Sequence, residues 1–167
     1  LAPHPAPLAL RFAVLTAARS NEVRGATWAE IDTDAGIWTV PAARMKADRE
    51  HVVPLSDAAL AVLQVAEQTF GRAPDSLIFP GPRDGKPLSD NAFKALLDRM
   101  GVDATAHGFR STFRDWCAEG GVPREVAERA LAHAVGNAVE AAYNRTQLIE
   151  QRRPLMARWA AFLAGAK

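Results

Sequence analysis

A single cysteine, Cys117, has nothing to pair with inside the 167-residue chain, so no internal disulfide framework holds this fold. The chain is poor in metal-ligand patterns as well: neither the cysteine nor the four histidines fall at the paired spacing of a structural zinc site. No Gly-rich phosphate-cradling loop is present, which argues against a nucleotide-driven enzyme. No stretch approaches the roughly 18 uninterrupted apolar residues of a membrane-crossing helix, and no signal peptide is visible. A soluble, cytoplasmic protein in a reducing compartment is therefore expected, with neither cofactor nor metal. Charge of one sign is also lacking. The formal net charge is only +1, so any case for nucleic-acid binding must rest on local clusters.

What the chain does have is apolar content, 49% of its residues, enough for a real core in one domain. It opens at Leu1 rather than at Met and passes at once from a Pro-rich lead-in to a helical pattern, so 1–167 reads as one domain, the C-terminal part of something longer. The 3.6-residue period predicts a helix over Leu8 to Ala18, and Ser20 suits the cap of a short second helix reaching about Ala26. TWAEID, GIWTVP and HVVPL then carry the β-branched and aromatic residues of three short strands. Ser56 and Asp57 open a helix bearing Leu60, Leu63 and Phe70. A Gly/Pro-punctuated loop follows, and Ser89 is placed to cap a helix with Phe93, Leu96, Leu97 and Met100 inward. Pro123 suits the first position of a helix that ends near His133. The last run carries Leu155, Trp159, Phe162 and Leu163 on one stripe, with Pro154 predicted to kink it or start it afresh. The expected class is mainly α with a small three-stranded antiparallel β-sheet (α+β).

The stretch TAHGFRSTFRDW, Thr105 to Trp116, is the most informative. Phe109, Phe113 and Trp116 recur at i, i+4 and i+7 and supply a buried stripe, yet His107 and Arg110 stand off that stripe in or near the first turn. A first turn already offers unpaired N–H groups and the positive end of the helix dipole, so an anion is favoured there, phosphate first. Four further features stand out: Arg19 with Glu22 in TAARSNEV, Lys46 in the hairpin loop AARMKADRE, His133 in LAHAVG, and Tyr143 in AAYNRT. Each alone has an ordinary reading. Arg19 could be a solvated helix-end charge, Lys46 plain surface, His133 a satisfied helix-end histidine, and Tyr143 a ring at the core edge. His107 and Arg110 could pair with Asp103 or Asp115. Cys117 and Met100 read as core, and His51 and His4 as surface.

Taken together, in this order and on these element types, the set resembles the tyrosine recombinases, the phage integrase family, over nearly the whole chain. MKADREHVVPLS, AHGFR, LAHAV and AAYNRT are most similar to prophage and genomic-island integrases. The departures are small: Ala18 and Ala132 stand where glycine is common, and Pro154 lies in the last helix.

A phosphodiester repels nucleophiles, so its cleavage requires neutralisation of the charge that builds on the non-bridging oxygens. The guanidinium forks of Arg19 and Arg110 suit that task and stay charged at any working pH. Tyr143 is the only tyrosine, so it has no competitor as nucleophile, although a phenol with a reference pKa of about 10 needs activation. The resemblance implies a 3′-phosphotyrosine intermediate with a 5′-hydroxyl leaving group. It implies Lys46 as proton donor to that group, His107 as base toward Tyr143, His133 as a hydrogen-bond partner of a non-bridging oxygen, and Glu22 as structural support. It also implies double-stranded attachment-site DNA as partner, a homotetramer at synapsis, a monomer as the isolated domain, and accessory DNA-bending or excision factors. Phosphate contacts are expected from Arg44, Lys46, Arg49, Arg145, Arg152 and Arg153. The competing readings are a catalytically silent DNA-binding module of the same fold and a metal-dependent phosphodiesterase, whose ligand spacing is absent.

Overall fold

Helix α1, Ala6–Thr16, packs against the later helices that carry the rest of the chain; Ala6, Ala9 and Phe12 on it are fully buried. The computed structural model describes residues 4–133 and 147–165. After α1 come α2 (Ser20–Arg24), β1 (Ile31–Asp32), β2 (Ile37–Val40), β3 (His51–Pro54), α3 (Asp57–Phe70), α4 (Ala92–Arg99), α5 (Ala106–Glu119), α6 (Arg124–Ala130) and α7 (Ile149–Leu163). The sheet is antiparallel in the order β1-β2-β3, with Ile31 opposite Trp38 and Trp38 opposite Val53. The expected class, mainly helical with three short strands, is what is found. No described helix is long and apolar enough to cross a membrane.

The described residues form two apolar cores. The larger joins α1, the sheet, α3 and α4 around Phe12, Trp38 and Phe79, whose rings lie 5.3 and 5.7 Å from Phe12. The smaller joins α5, α6 and α7 around Phe113, Cys117 and Trp159, with Phe113 edge-on to Trp159 at 5.2 Å. Trp159 also donates its indole N–H to the Val14 carbonyl at 2.8 Å, so α7 is tied to α1 by a polar bond as well as by packing. Arg110 lies in the seam where α1 of the larger core meets α5 and α6 of the smaller.

Several boundaries differ from the sequence reading. Helix α1 stops at Thr16, not Ala18, because Ala17 turns left-handed at φ 51°. Arg19, not Ser20, occupies the cap position of α2, since its own amide is held by the Glu22 carboxylate. Asn91, not Ser89, precedes α4. Met100, expected inward, is 62% exposed, and Phe162 and Leu163 are likewise exposed one turn beyond the buried Trp159. Pro154 does not start α7. It lies inside the helix, which has already begun at Ile149. Ser56 does cap α3, accepting from the Ala59 amide at 3.3 Å, and Thr105 caps α5 by accepting from Gly108 at 2.9 Å.

The end of α6 decides where His133 goes. Ala132 is left-handed at φ 52°, and around it the Ala132 amide donates to the Arg129 carbonyl at 3.1 Å and the His133 amide to the Glu128 carbonyl at 2.9 Å. That pair of bonds is a Schellman closure, which normally places glycine at the left-handed position. An alanine there, as at Ala17, carries a left-handed penalty of about 1–2 kcal/mol, partly offset by the smaller chain entropy it loses on folding. Ala17→Gly and Ala132→Gly are each expected to raise unfolding free energy by up to about 1 kcal/mol in urea titrations.

Candidate active site

Arg110 is the centre of the seam. It sits on the inner face of α5, 6% exposed, one turn from the helix start. One guanidinium nitrogen donates to the Ala17 carbonyl at the end of α1. The other donates to the Leu131 carbonyl at the end of α6, at 2.8 Å, and lies 3.4 Å from Nε2 of His133. Two helix C-termini, whose last carbonyls have no partner within their helices, are thus joined by one planar fork. Burial, followed by the nearby Arg19 charge, lowers the Arg110 pKa to about 10, with Glu22 acting the other way; the group remains a cation at neutral pH.

Arg19 reaches this centre from the joint between α1 and α2. Its side chain is 28% exposed, and its Nη1 pairs with Glu22 Oε1 at 2.9 Å while the other Glu22 oxygen takes the Arg19 amide at 3.0 Å. Glu22 is 2% exposed, so a buried carboxylate fixes the arginine at both backbone and side chain and leaves the remaining guanidinium N–H groups for an anion. His133 follows α6 and is 3.4 Å from Arg110, while its Nδ1 lies 2.6 Å from Glu128 Oε2. Glu128, 7% exposed, is held from the other side by Arg114 of α5 at 3.0 Å.

His107 is exposed on the first turn of α5, in a helix start whose cap already gathers backbone N–H groups. Lys46 and Arg49 are exposed on the β2–β3 loop, and Arg49 lines a cavity of about 100 Å³ together with Glu50, His51, Arg129 and His133. Tyr143 and Arg145 lie outside the described residues.

Three arginines expected to touch phosphate are otherwise engaged. Arg44 is bound by both oxygens of Glu30, at 2.9 and 2.6 Å, and donates to the Glu22 carbonyl at 3.1 Å. Gly25 makes room for it: a Cβ there would lie 2.6 Å from the Arg44 Nη1. Arg44 therefore locks the loop that carries Lys46 to α2, under the Arg19–Glu22 pair. Arg152 is fully buried, with Nη1 donating to the Gln147 carbonyl at 3.1 Å and a pKa lowered by burial, then by Arg129, to about 10. Arg153 donates to the Ala35 carbonyl of the β1–β2 turn at 3.0 Å. In this conformation these side chains brace the fold.

The sequence reading placed His51 on the surface, but the structure buries it at 5% exposure on β3. The Ala130 backbone next to the Leu131 carbonyl that Arg110 holds favours a proton on this ring, against the other influences on it. Burial, then the charges of Arg152, Arg110 and Arg19, push its pKa down to about 3. It is a neutral imidazole among cations. Alternation along β3 was the available signal, since His51 shares a face with the buried Val53.

A model of the phage integrase family matches residues 3–148. The chain belongs to that family. The prophage integrase IntA of Escherichia coli K12 is 42% identical over 156 residues, covering 92% of this chain and 37% of the relative. The integrase of Enterobacteria phage P4 is 37% identical over 175 residues, covering 93% of this chain and 39% of that protein. The chain thus spans about two fifths of the length of these integrases. A solved integrase from mycobacterium phage Brujita shares the fold, with a TM-score of 0.71 over 95% of this chain and 53% of its own, at 21% identity.

The buried His51 makes this integrase domain acid-sensitive. The unfolded chain takes up a proton near the reference pKa of about 6.5, whereas the folded chain does so only near 3, so stability is complete above that range and falls as pH drops through it. From about pH 6.5 to about pH 5 the loss is on the order of 1–2 kcal/mol. His51→Gln is expected to remove that part of the pH dependence in urea titrations at the two pH values, whatever its effect on absolute stability.

Proposed function

We propose that this chain is the catalytic domain of a site-specific DNA recombinase that cuts and rejoins DNA through a covalent 3′-phosphotyrosine intermediate, integrating or excising a mobile element. The observation that carries the reading is the convergence of Arg110 and His133, 3.4 Å apart, with Arg19 adding its charge to Arg110 from the α1–α2 joint. Donors supplied by separate elements suit a phosphate with two non-bridging oxygens, and each of these three side chains has a protein partner that presets it.

In this mechanism Arg19 and Arg110 neutralise the oxygens as the phosphorus becomes five-coordinate, and His133 hydrogen-bonds one of them. His107, on the exposed first turn of α5, takes the proton of Tyr143 as its hydroxyl attacks. Lys46 reaches the 5′-oxygen from its loop and protonates it as the P–O bond breaks. The phosphotyrosine ester keeps the energy of the broken bond, so a 5′-hydroxyl from a second strand reverses the sequence and joins the DNA. His107 then returns its proton to Tyr143. Arg49 and Arg145 are the remaining candidates for phosphate contacts outside the reacting centre. The whole protein works on paired attachment sites in the bacterial cytoplasm as a homotetramer, with accessory DNA-bending or excision factors. An upstream segment supplies a second DNA clamp, so this chain alone binds DNA weakly.

Tyr143→Phe tests the assignment. With duplex fragments selected for binding from a randomised pool, the chain is expected to yield protein–DNA adducts that survive detergent, and Tyr143→Phe none, while both shift the same fragments in a low-salt gel. Adducts that persist in the variant would move the nucleophile elsewhere. A chain that binds DNA and gives no adduct in either form would be a silent module.

A further inference from the structure

His133 cannot meet its proposed role as a neutral ring in the tautomer the structure favours. Its Nδ1 lies 2.6 Å from a Glu128 oxygen, and a carboxylate only accepts, so Nδ1 carries the proton. In a neutral imidazole Nε2 is then an acceptor, which suits the Arg110 nitrogen 3.4 Å away but offers no hydrogen to a phosphate oxygen. Both bonds can be donated only by an imidazolium.

We propose that Glu128 is a positioning residue that sets this state: it holds His133 with Nδ1–H on the carboxylate and Nε2 toward the anion site, and it serves as counter-ion when Nε2 takes up a proton from solvent as phosphate arrives. The role rests on the phosphoryl-transfer reading of the site, and it adds a residue that reading did not contain. Phosphate binding is then coupled to uptake of one proton, and His133 enters the reaction as a third cation.

The backbone is built for the pairing. The Schellman closure at the end of α6 brings residues 128 and 133 together, a place commonly filled by an apolar contact, and here the contact is a carboxylate on an imidazole. Arg114 of α5 holds the second Glu128 oxygen at 3.0 Å, so the carboxylate cannot rotate away without breaking an ion pair. Charges facing His133 come from each neighbouring element. Arg110 and Arg114 stand on α5, Glu128 and Arg129 on α6, and Arg49, Glu50 and the neutral His51 on or beside β3. The cations among them oppose a further positive charge, and Glu128 is the carboxylate in direct contact with the ring.

The test reads the tautomer itself, by 15N NMR of the histidine side chains in the whole chain, with the His133 signal identified by its loss in His133→Gln. Without added anion, the wild-type ring is expected to carry its proton on Nδ1. On titration with inorganic sulfate at neutral pH, Nε2 is expected to gain a proton as well. Glu128→Ala should release the tautomer to a mixture. Glu128→Gln, whose amide oxygen still accepts from Nδ1–H, should keep the tautomer yet fail to stabilise the doubly protonated ring, weakening sulfate about tenfold or more. It is close enough in shape to keep the fold if the alanine variant does not. An Nε2–H tautomer in the wild type, or no difference between wild type and the Glu128 variants, would overturn the proposal. The anion-free comparison decides the role of Glu128 whether or not the chain cuts DNA. Sulfate that binds without protonating Nε2 would overturn the coupling, whereas sulfate that leaves the ring untouched would count against the anion site itself.

Discussion

The structure depends on one buried cation. The Arg110 guanidinium closes the ends of α1 and α6 by donating to the Ala17 and Leu131 carbonyls, and so ties the end of α1, a helix otherwise in the larger core, to α5 and α6 of the smaller one. A charge at this depth is costly unless its donors are matched, and carbonyls at two helix C-termini, the negative ends of their dipoles, match a planar fork well. Because those carbonyls neutralise only partially, a positive field remains at the seam. The same interaction that holds the elements together leaves a site in need of an anion.

The other charges follow from that field. Arg19 and His133 each bring a carboxylate of their own, Glu22 three residues on and Glu128 five residues back, so the donors facing the seam are oriented by acids behind them. His51, buried within the fields of Arg152 and Arg110, takes the alternative course and stays neutral. Arg44 extends the arrangement outward, coupling the loop of Lys46 directly to the backbone of Glu22 while Glu30 holds the rest of its guanidinium. Preorganisation of this kind places most of the cost of assembling the site in folding rather than in the encounter with substrate.

Much of this was legible in the residues, because helical periodicity, caps and turns are local. Ser56 and Thr105 act as the caps their positions suggested, and the three strands fall where β-branched residues cluster. What escaped was set by tertiary partners. Arg44, Arg152 and Arg153 read as phosphate contacts, and their protein partners in this conformation, Glu30, Gln147 and Ala35, leave no local pattern, that of Arg153 lying across the chain. Met100 keeps its apolar spacing but falls just past the last turn of α4, where the chain turns outward. Glu128 was passed over because a five-residue spacing matches no helix face. Only the left-handed Ala132 brings it onto His133, and a small residue just before the histidine was the one available sign.

The central claim is that Arg19, Arg110 and His133 form one anion site, and a crystal of this chain soaked with orthovanadate tests it most directly. The account predicts one vanadate within about 3 Å of nitrogens from all three residues, with Nε2 of His133 turned to an oxygen and Nδ1 still on Glu128. Vanadate bound elsewhere, or none at this seam while the Arg110 fork keeps its two carbonyls, would contradict it and leave Arg110 a purely structural lock.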